Sequence, residues 1–279
     1  MYSRNSSNGF LGHIIPSKTN SPPNGASNTV SATTWPSSKL PGHASLDAMP
    51  RNQILADLPN DDRMRLFQSM EMVRLSRHED LHDVEHGDCF IYFPQSVVIS
   101  QLSMLNDGST AEVALVGNEG VIGLSFIFNT HIPERRACVA LAGNALRMRA
   151  KDFKREFECG GALQHSLLGY MGNYVEQISQ RSVCNSQHSI EKRFACWLLM
   201  MHDRASNDVL PLTQEQIAYR IGTRRSSITL AAMALQEQQI ISYFRGQIHI
   251  LDRRRLELTA CECYETLSQT SNKSTMVSH

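Results

Sequence analysis

The period of the hydrophobic positions changes along the chain. Up to residue 48 there is almost no pattern: SKTNSPPNGASNTVSATTWPSSKLPGH is built from Ser, Asn, Pro, Gly and Thr. Such a stretch cannot bury enough apolar surface to offset its ordering entropy. Residues 1–48 are therefore expected to be a disordered tail, with order beginning near Met49. A short helix is predicted from NQILADLP onward, capped by Asp57 or Asn60, with Met64, Phe67 and Met70 as its apolar stripe. After Met72 come short pieces that alternate or run apolar: VVISQLSML, an NDG turn and TAEVALVG, then two more around Gly143-Asn144 in ACVALAGNALRMRAKDFKREF. Short Val- and Ile-rich strands between Gly and Asn turns predict an antiparallel roll or sandwich.

The helical period returns near Gly161. Leu163, Leu167, Met171, Tyr174 and Ile178 recur at spacings of three and four. That narrow seam suits pairing with the same helix of a second copy, the alternative being a helix packed on its own sheet. A second amphipathic helix follows in SIEKRFACWLLMMHDR, with Ile190, Phe194, Trp197 and Met201 on one side.

The segment LPLTQEQIAYRIGTRRSSITLAAMALQEQQIISYFRGQIHILD is the most informative. Thr213 with Gln216 forms a capping box. Ile217, Ala218 and Ile221 face inward, Gly222 permits a tight turn, and a second helix from about Arg224 keeps Ile228, Ala231 and Leu235 for packing. This is helix-turn-helix spacing. ISYF and QIHIL around Arg245-Gly246 then read as a β-hairpin wing. Between Leu212 and Arg255 there are seven arginines (220, 224, 225, 245, 253, 254, 255) against Glu215, Glu237 and Asp252. A local excess of positive charge is what phosphate contact requires. The N-terminal face of the second helix offers Arg224, Arg225, Ser226, Ser227, Thr229 and Leu230. An arginine there can bond guanine O6 and N7 in a bidentate way.

Composition narrows the classes. The 279 residues are 41% hydrophobic with no net formal charge, which suits globular domains. No apolar run of membrane-spanning length occurs, and no signal-peptide pattern opens the chain. Seven scattered cysteines (89, 138, 159, 184, 196, 261, 263) read as reduced intracellular thiols, so a cytoplasmic protein is expected. Cys261 and Cys263 stand one residue apart and could share a metal or respond to oxidation. No other Cys or His is near in sequence to complete a tetrahedral set. The expected reading is an apolar helix end, with no metal site and no cofactor.

One motif points elsewhere. His78-Glu79-Asp80-Leu81-His82 spells H-E-x-x-H, followed by His86. On a helix this pattern holds zinc beside a general base. The segment has no apolar stripe and precedes strand-like sequence, and in a strand residues four apart are separated by about 13 Å. That is too far for two imidazoles to share an ion bound at about 2.0–2.1 Å. A zinc-dependent hydrolase is thus the disfavoured alternative, as is an interaction module that does not touch DNA.

From about Asn52 to Tyr264 the chain resembles the bacterial Crp/Fnr transcription regulators. The resemblance lies in YFP (92–94), EVALVGNEGVIGL, CNSQHSIEKRFACWLL, LPLTQEQIAYRIGTRRSSIT and ILDRRRLELTACECY. It implies an α+β chain: a tail (1–48), a cyclic-nucleotide-binding-like β-roll (49–158), a dimerisation helix (159–186), a winged helix-turn-helix (187–260) and a C-terminal tail (261–279). It also implies a homodimer on double-stranded DNA, half-sites about 34–36 Å apart, and contact with RNA polymerase. By the resemblance Arg225 takes the main base-reading position and Gln214 a phosphate-contacting one, with Thr213 and Arg245 beside them. Ser226 stands where many members place a glutamate, and Leu230 where some place a second arginine. In the roll, cyclic-nucleotide binders of this type carry Gly-Glu and Arg-Ser or Arg-Thr pairs. Here Gly123 precedes Leu124 and Arg135 precedes Arg136. A leucine leaves a ribose hydroxyl unpaired at about 1–3 kcal/mol, so a cyclic nucleotide is not expected and the small-molecule effector is unknown. No cysteine precedes Cys89, unlike the iron–sulfur members.

Overall fold

The computed structural model describes residues 49–81, 89–128, 135–205 and 207–272. The expected tail (1–48), His82, His86 and the side chain of Arg135 lie outside the described residues.

The chain enters through α1 (Gln53–Ala56) and α2 (Asn60–Phe67). Neither Asp57 nor Asn60 is an N-cap: α2, which carries the expected stripe, starts after Pro59 without a side-chain cap, while α1 is capped by Asn52, whose Oδ1 accepts from Leu55 N at 3.3 Å and whose Nδ2 donates to Gly120 O at 2.8 Å and Pro94 O at 3.3 Å. A buried asparagine can do this because its amide satisfies a helix end and two loops at once. Of the expected stripe, Phe67 is buried beside Leu66, Met70 is half-buried and Met64 is exposed.

The roll follows as β1 (Glu71–Leu75), β2 (Phe90–Pro94), β3 (Val98–Met104), β4 (Thr110–Val116), α3 (Leu124–Ile127), β5 (Arg135–Leu141) and β6 (Gly143–Arg149). Two antiparallel sheets form, in the orders β1-β6-β2 and β4-β3-β5. The Gly143-Asn144 pair is not a hairpin turn: the chain changes sheet there, and β6 pairs with β1 and β2. Glycine is required at 143, since a Cβ would stand 2.5 Å from the backbone of Ser96 and Val97. The layers explain the apolar run in β2. Ile91 and Phe93 face Phe153, Leu163 and Leu167 on one side. Tyr92 faces Ile99, Val116 and Val139 of the second sheet on the other. A strand covered on both faces has no polar positions to alternate with.

Helix α4 (Ala150–Glu158) leads to α5 (Ala162–Gln187), whose 26 residues span about 39 Å. The C-terminal part comprises α6 (Ile190–Arg204), β7 (Val209–Leu210), α7 (Gln214–Ile221), α8 (Arg225–Glu237), β8 (Ile241–Phe244), β9 (Gln247–Ile250), α9 (Arg253–Thr259) and α10 (Cys263–Asn272). Its core is continuous with the outer face of the second sheet, where Val98, Leu115 and Leu141 join Phe194, Trp197, Ile217 and Leu235. The wing has a third strand, β7, in the order β7-β9-β8. Residues read as a C-terminal tail form α10, with Cys263 and Leu267 buried against α5 and α6.

Candidate nucleic-acid interface

The helix-turn-helix is built by local chemistry. Thr213 Oγ1 accepts from Gln216 N at 3.3 Å while Gln216 Oε1 accepts from Thr213 N at 3.0 Å, which closes the capping box and starts α7. Gly222 adopts φ +70° and ends α7, with Thr223 N donating back to Ala218 O at 3.0 Å. Ile217, Ile228 and Leu235 are fully buried, so the two helices are fixed by their shared core.

Helix α8 then presents its N-terminus outward. Arg224 is its N-cap in extended conformation without a side-chain cap bond. The first-turn amides and the helix dipole thus face solvent, an arrangement that favours anions. Arg224, Arg225 and Ser226 are exposed, and among the described residues no carboxylate pairs with either arginine. Further along the same face Leu230 is 68% exposed and Met233 48%. Met233 is not among the residues expected from the sequence, although it lies one turn beyond Leu230 on the exposed face. An apolar pair there suits contact with thymine methyl groups.

Other expected site residues also make contacts within the domain. Thr229 Oγ1 donates to Gln214 Oε1 at 2.7 Å, tying α8 to α7, and Thr213 is spent on its cap. Ser227 is half-buried. At the wing tip Arg245 (φ 48°) and Gly246 (φ 73°) form a two-residue turn, and the Arg245 guanidinium lies 5.0 Å from the Phe244 ring centroid. Tyr243 anchors the wing by donating its hydroxyl to Leu212 O at 2.9 Å.

The seven arginines of this segment are not equivalent. Arg220 is buried: it donates to Ser100 Oγ and lies 3.8 Å from Glu112 Oε2. Arg253 pairs with Asp203 at 2.6 Å and Glu257 at 3.0 Å, and Arg255 caps Gln238 O at 2.7 Å. Arg224, Arg225, Arg245 and Arg254 remain on the exposed surface.

Glu112, on β4, is the meeting point of three parts of the chain. Its Oε1 accepts from Trp197 Nε1 on α6 at 2.9 Å and lies 3.3 Å from Arg181 on α5, while Oε2 accepts from Ser100 Oγ at 2.5 Å. With Arg220 of α7, one buried carboxylate faces two guanidinium groups. Nearby, His78 and Arg77 reach the DNA-binding domain. Arg77 Nη2 donates to Gln216 Oε1 at 3.2 Å, and His78 Nε2 lies 3.1 Å from Gln216 Nε2. Burial first, then the charges of Arg77 and Arg220, hold the His78 imidazole below its ordinary value. It is therefore neutral at neutral pH and accepts from the Gln216 amide. His78 has φ 69° in a turn and Asp80 bridges Cys138, so the described part of the H-E-x-x-H stretch is not helical.

Of the residues expected to form an effector pocket, three have described side-chain surroundings. Gly123 has φ 101° and caps α3, and a Cβ there would meet Phe90 O at 2.5 Å. Leu124 packs on the core cluster beneath α4, and Arg136 is paired with Asp80. On α5 the expected dimer seam is largely used inside the chain. Leu163 and Leu167 are buried in the roll's core, Tyr174 packs there too, and Met171 and Ile178 are half-buried. The outward stripe is offset from it: Leu168, Val175 and Val183 are all more than half exposed, with Gly172 and Ser179 between them.

Comparison with known proteins agrees with this architecture. Residues 192–259 match the model of the Crp-like helix-turn-helix domain. No curated protein matches the chain in sequence. Among solved structures, a protein from Eubacterium rectale assigned to the Crp/Fnr family of transcriptional regulators superposes with a TM-score of 0.59 at 19% identity, over 73% of this chain and 95% of that one. FixK2 from Bradyrhizobium japonicum gives 0.56 at 15% identity, over 69% and 98%. A Crp/Fnr-family regulator from Thermus thermophilus gives 0.52 at 15% identity, over 68% and 98%. Among the described residues no helix is long and apolar enough to cross a membrane. The chain thus carries a Crp-like helix-turn-helix domain and shares the fold of solved regulators assigned to the Crp/Fnr family.

Proposed function

We propose that the protein reads duplex DNA as a homodimer in the cytoplasm, acting by binding and not by catalysis. The observation that carries this is the exposed Arg224-Arg225-Ser226 corner at the N-terminus of α8, flanked by the wing arginine Arg245 and free of carboxylate partners among the described residues. Arg225 is placed to fork onto a guanine edge, and the α8 amides with Arg224 and Arg245 to meet phosphates. Leu230 and Met233 add apolar contact.

Dimerisation is assigned to the outward stripe of α5. Leu168, Gly172, Val175, Ser179 and Val183 recur at three and four, and the small residues permit close approach of a twin helix. A two-fold pair would set recognition helices about 34–36 Å apart, one turn of duplex. Contact with RNA polymerase follows from the family type. A cyclic nucleotide is not the expected effector, because Leu124 packs inward and Arg136 is spent on Asp80.

Selection of random duplexes by the purified protein at about 0.15 M salt tests the reading. The expected result is enrichment of an inverted repeat with half-sites one helical turn apart, abolished by Arg225→Ala. Salt-sensitive binding without enrichment, both with and without cell extract, would overturn it.

A further inference from the structure

The fold gathers four metal-ligating side chains that are far apart in sequence. Cys184 lies in the last turn of α5 and His188 caps that helix. Cys261 lies in the link between α9 and α10, and Cys263 is the first residue of α10. Their donor atoms all stand within 4.8 Å of one another. Cys184 Sγ is 3.5 Å from Cys261 Sγ, and Cys263 Sγ is 3.5 Å from His188 Nδ1. Around a tetrahedral zinc ion, with sulfur at about 2.3 Å and nitrogen at about 2.0–2.1 Å, donors stand roughly 3.5–3.8 Å apart. The three thiols are 5%, 4% and 1% exposed.

The surroundings fit the same reading. His188 Nε2 lies 3.2 Å from Glu262 Oε1, a carboxylate partner that fixes the ring and leaves Nδ1 as the ligating nitrogen. Gln180 Nε2 donates to Cys263 Sγ at 3.0 Å, a bond that favours a thiolate acceptor. We propose that Cys184, His188, Cys261 and Cys263 form a structural zinc site of the Cys3His type. Three thiolates and an imidazole suit zinc better than the oxygen-seeking cations. A polynuclear iron–sulfur centre is disfavoured because it inserts iron and sulfide between its thiolates and spreads them beyond the spacing seen here. All four positions come from the protein, so the site is closed and structural, not catalytic.

Its location gives it a role. The whole Crp-like domain, residues 192–259, lies between the first ligand pair and the second. One ion therefore pins both ends of that domain to the end of α5, where Ser189 opens α6. The partners of Cys261 and Cys263 lie on the other side of an entire domain, so sequence proximity does not reveal them.

The test is metal analysis of the full chain purified in reductant. About one zinc per chain is expected, and Co2+ replacing it should give the intense visible bands of a tetrahedral thiolate site. Cys184→Ser and Cys263→Ser should lose stoichiometric metal, and the exposed Cys159→Ser should keep it. His188→Cys should keep the metal and shift the cobalt bands toward those of an all-thiolate site. Glu262→Ala, at an exposed side chain that folding does not need, should weaken zinc binding about 10–100-fold. Cys196, a further buried thiol beside Cys184 and Cys261, serves as the internal check, and Cys196→Ala should retain zinc. The proposal falls if the wild-type chain binds neither zinc nor tetrahedral cobalt, if it carries an iron–sulfide chromophore instead, or if Cys196→Ala loses the metal while His188→Ala does not. These readouts do not involve DNA, so they stand apart from the operator selection.

Discussion

Arg220 and Arg225 stand on either side of one turn and do opposite work. Arg225 opens α8, exposed and without a carboxylate partner among the described residues. Arg220 is 4% exposed at the end of α7, with Arg181 sharing Glu112 from the opposite side. The first keeps its charge available to phosphate and base edges; the second has surrendered its hydration to join a domain to the roll. Counting charge along a segment treats the two alike. Burial separates them, and only the exposed member contributes to the field that DNA meets.

The largest effect is expected at the buried end of the comparison. Glu112→Ala leaves Arg181 and Arg220 uncompensated in the interior, and removal of one partner from a buried pair costs about 3–5 kcal/mol. Urea unfolding should show it. A loss below about 1 kcal/mol would mean that water or a rearranged partner replaces the carboxylate and that the hub does not hold the domains. The Nε atoms of Arg181 and Arg220 are buried with no partner among the described residues. The cluster is thus better understood as fixing where the DNA-binding domain docks than as a source of net stability.

A second contrast of the same kind runs along α5. Leu167→Ala, on the face buried in the roll, should cost about 2–5 kcal/mol of stability while leaving association intact. Val175→Asp, on the exposed face, should leave the monomer's unfolding within about 0.5 kcal/mol and abolish the dimer. Sedimentation beside denaturant titration separates the two. If Val175→Asp stays dimeric, the stripe through Gly172 and Ser179 is not the interface.

The exposed arginine comes next. Arg225→Ala should cost about 1–3 kcal/mol of binding to the selected operator, and fluorescence anisotropy against a scrambled duplex measures it. Little change in melting temperature should accompany the loss, because no described partner is left unsatisfied. An equal loss on both duplexes would make Arg225 a phosphate contact instead of a base reader.

What could be read from the sequence follows from how local each interaction is. The capping box at Thr213-Gln216, the glycine at 222 and the inward set Ile217, Ile228 and Leu235 involve neighbours in sequence, and all are found where the spacing predicts them. The Asn52 cap of α1 is not legible locally, because Asn52 is held by two distant carbonyls, Pro94 O and Gly120 O. Along α5, periodicity gives the existence of an apolar face and not what covers it: Leu163 and Leu167 are buried within the chain, while Met171, Tyr174 and Ile178 are only half-buried. Glu112 had no signal at all: its partners Ser100, Arg181, Trp197 and Arg220 come from four elements.

The smallest expected effect lies where the two regions touch at His78. The imidazole's pKa is lowered from 6.5, by burial first and then by Arg77 and Arg220, and its Nε2 accepts from the Gln216 amide. Below pH 6.5 the unfolded chain takes up a proton that the folded chain refuses until its lower value is reached. Stability therefore rises with pH across that window and levels off above it. Protonation also turns the acceptor into a donor facing an amide N–H, which loosens the contact between roll and DNA-binding domain. His78→Asn keeps the left-handed turn, since asparagine tolerates φ near 69°, and removes the titrating group. Its melting temperature between about pH 5 and 6.5 should fall less steeply with acidification than that of the wild type. Parallel profiles would mean that the His78–Gln216 contact does not sense the proton, and that acid sensitivity resides in other groups.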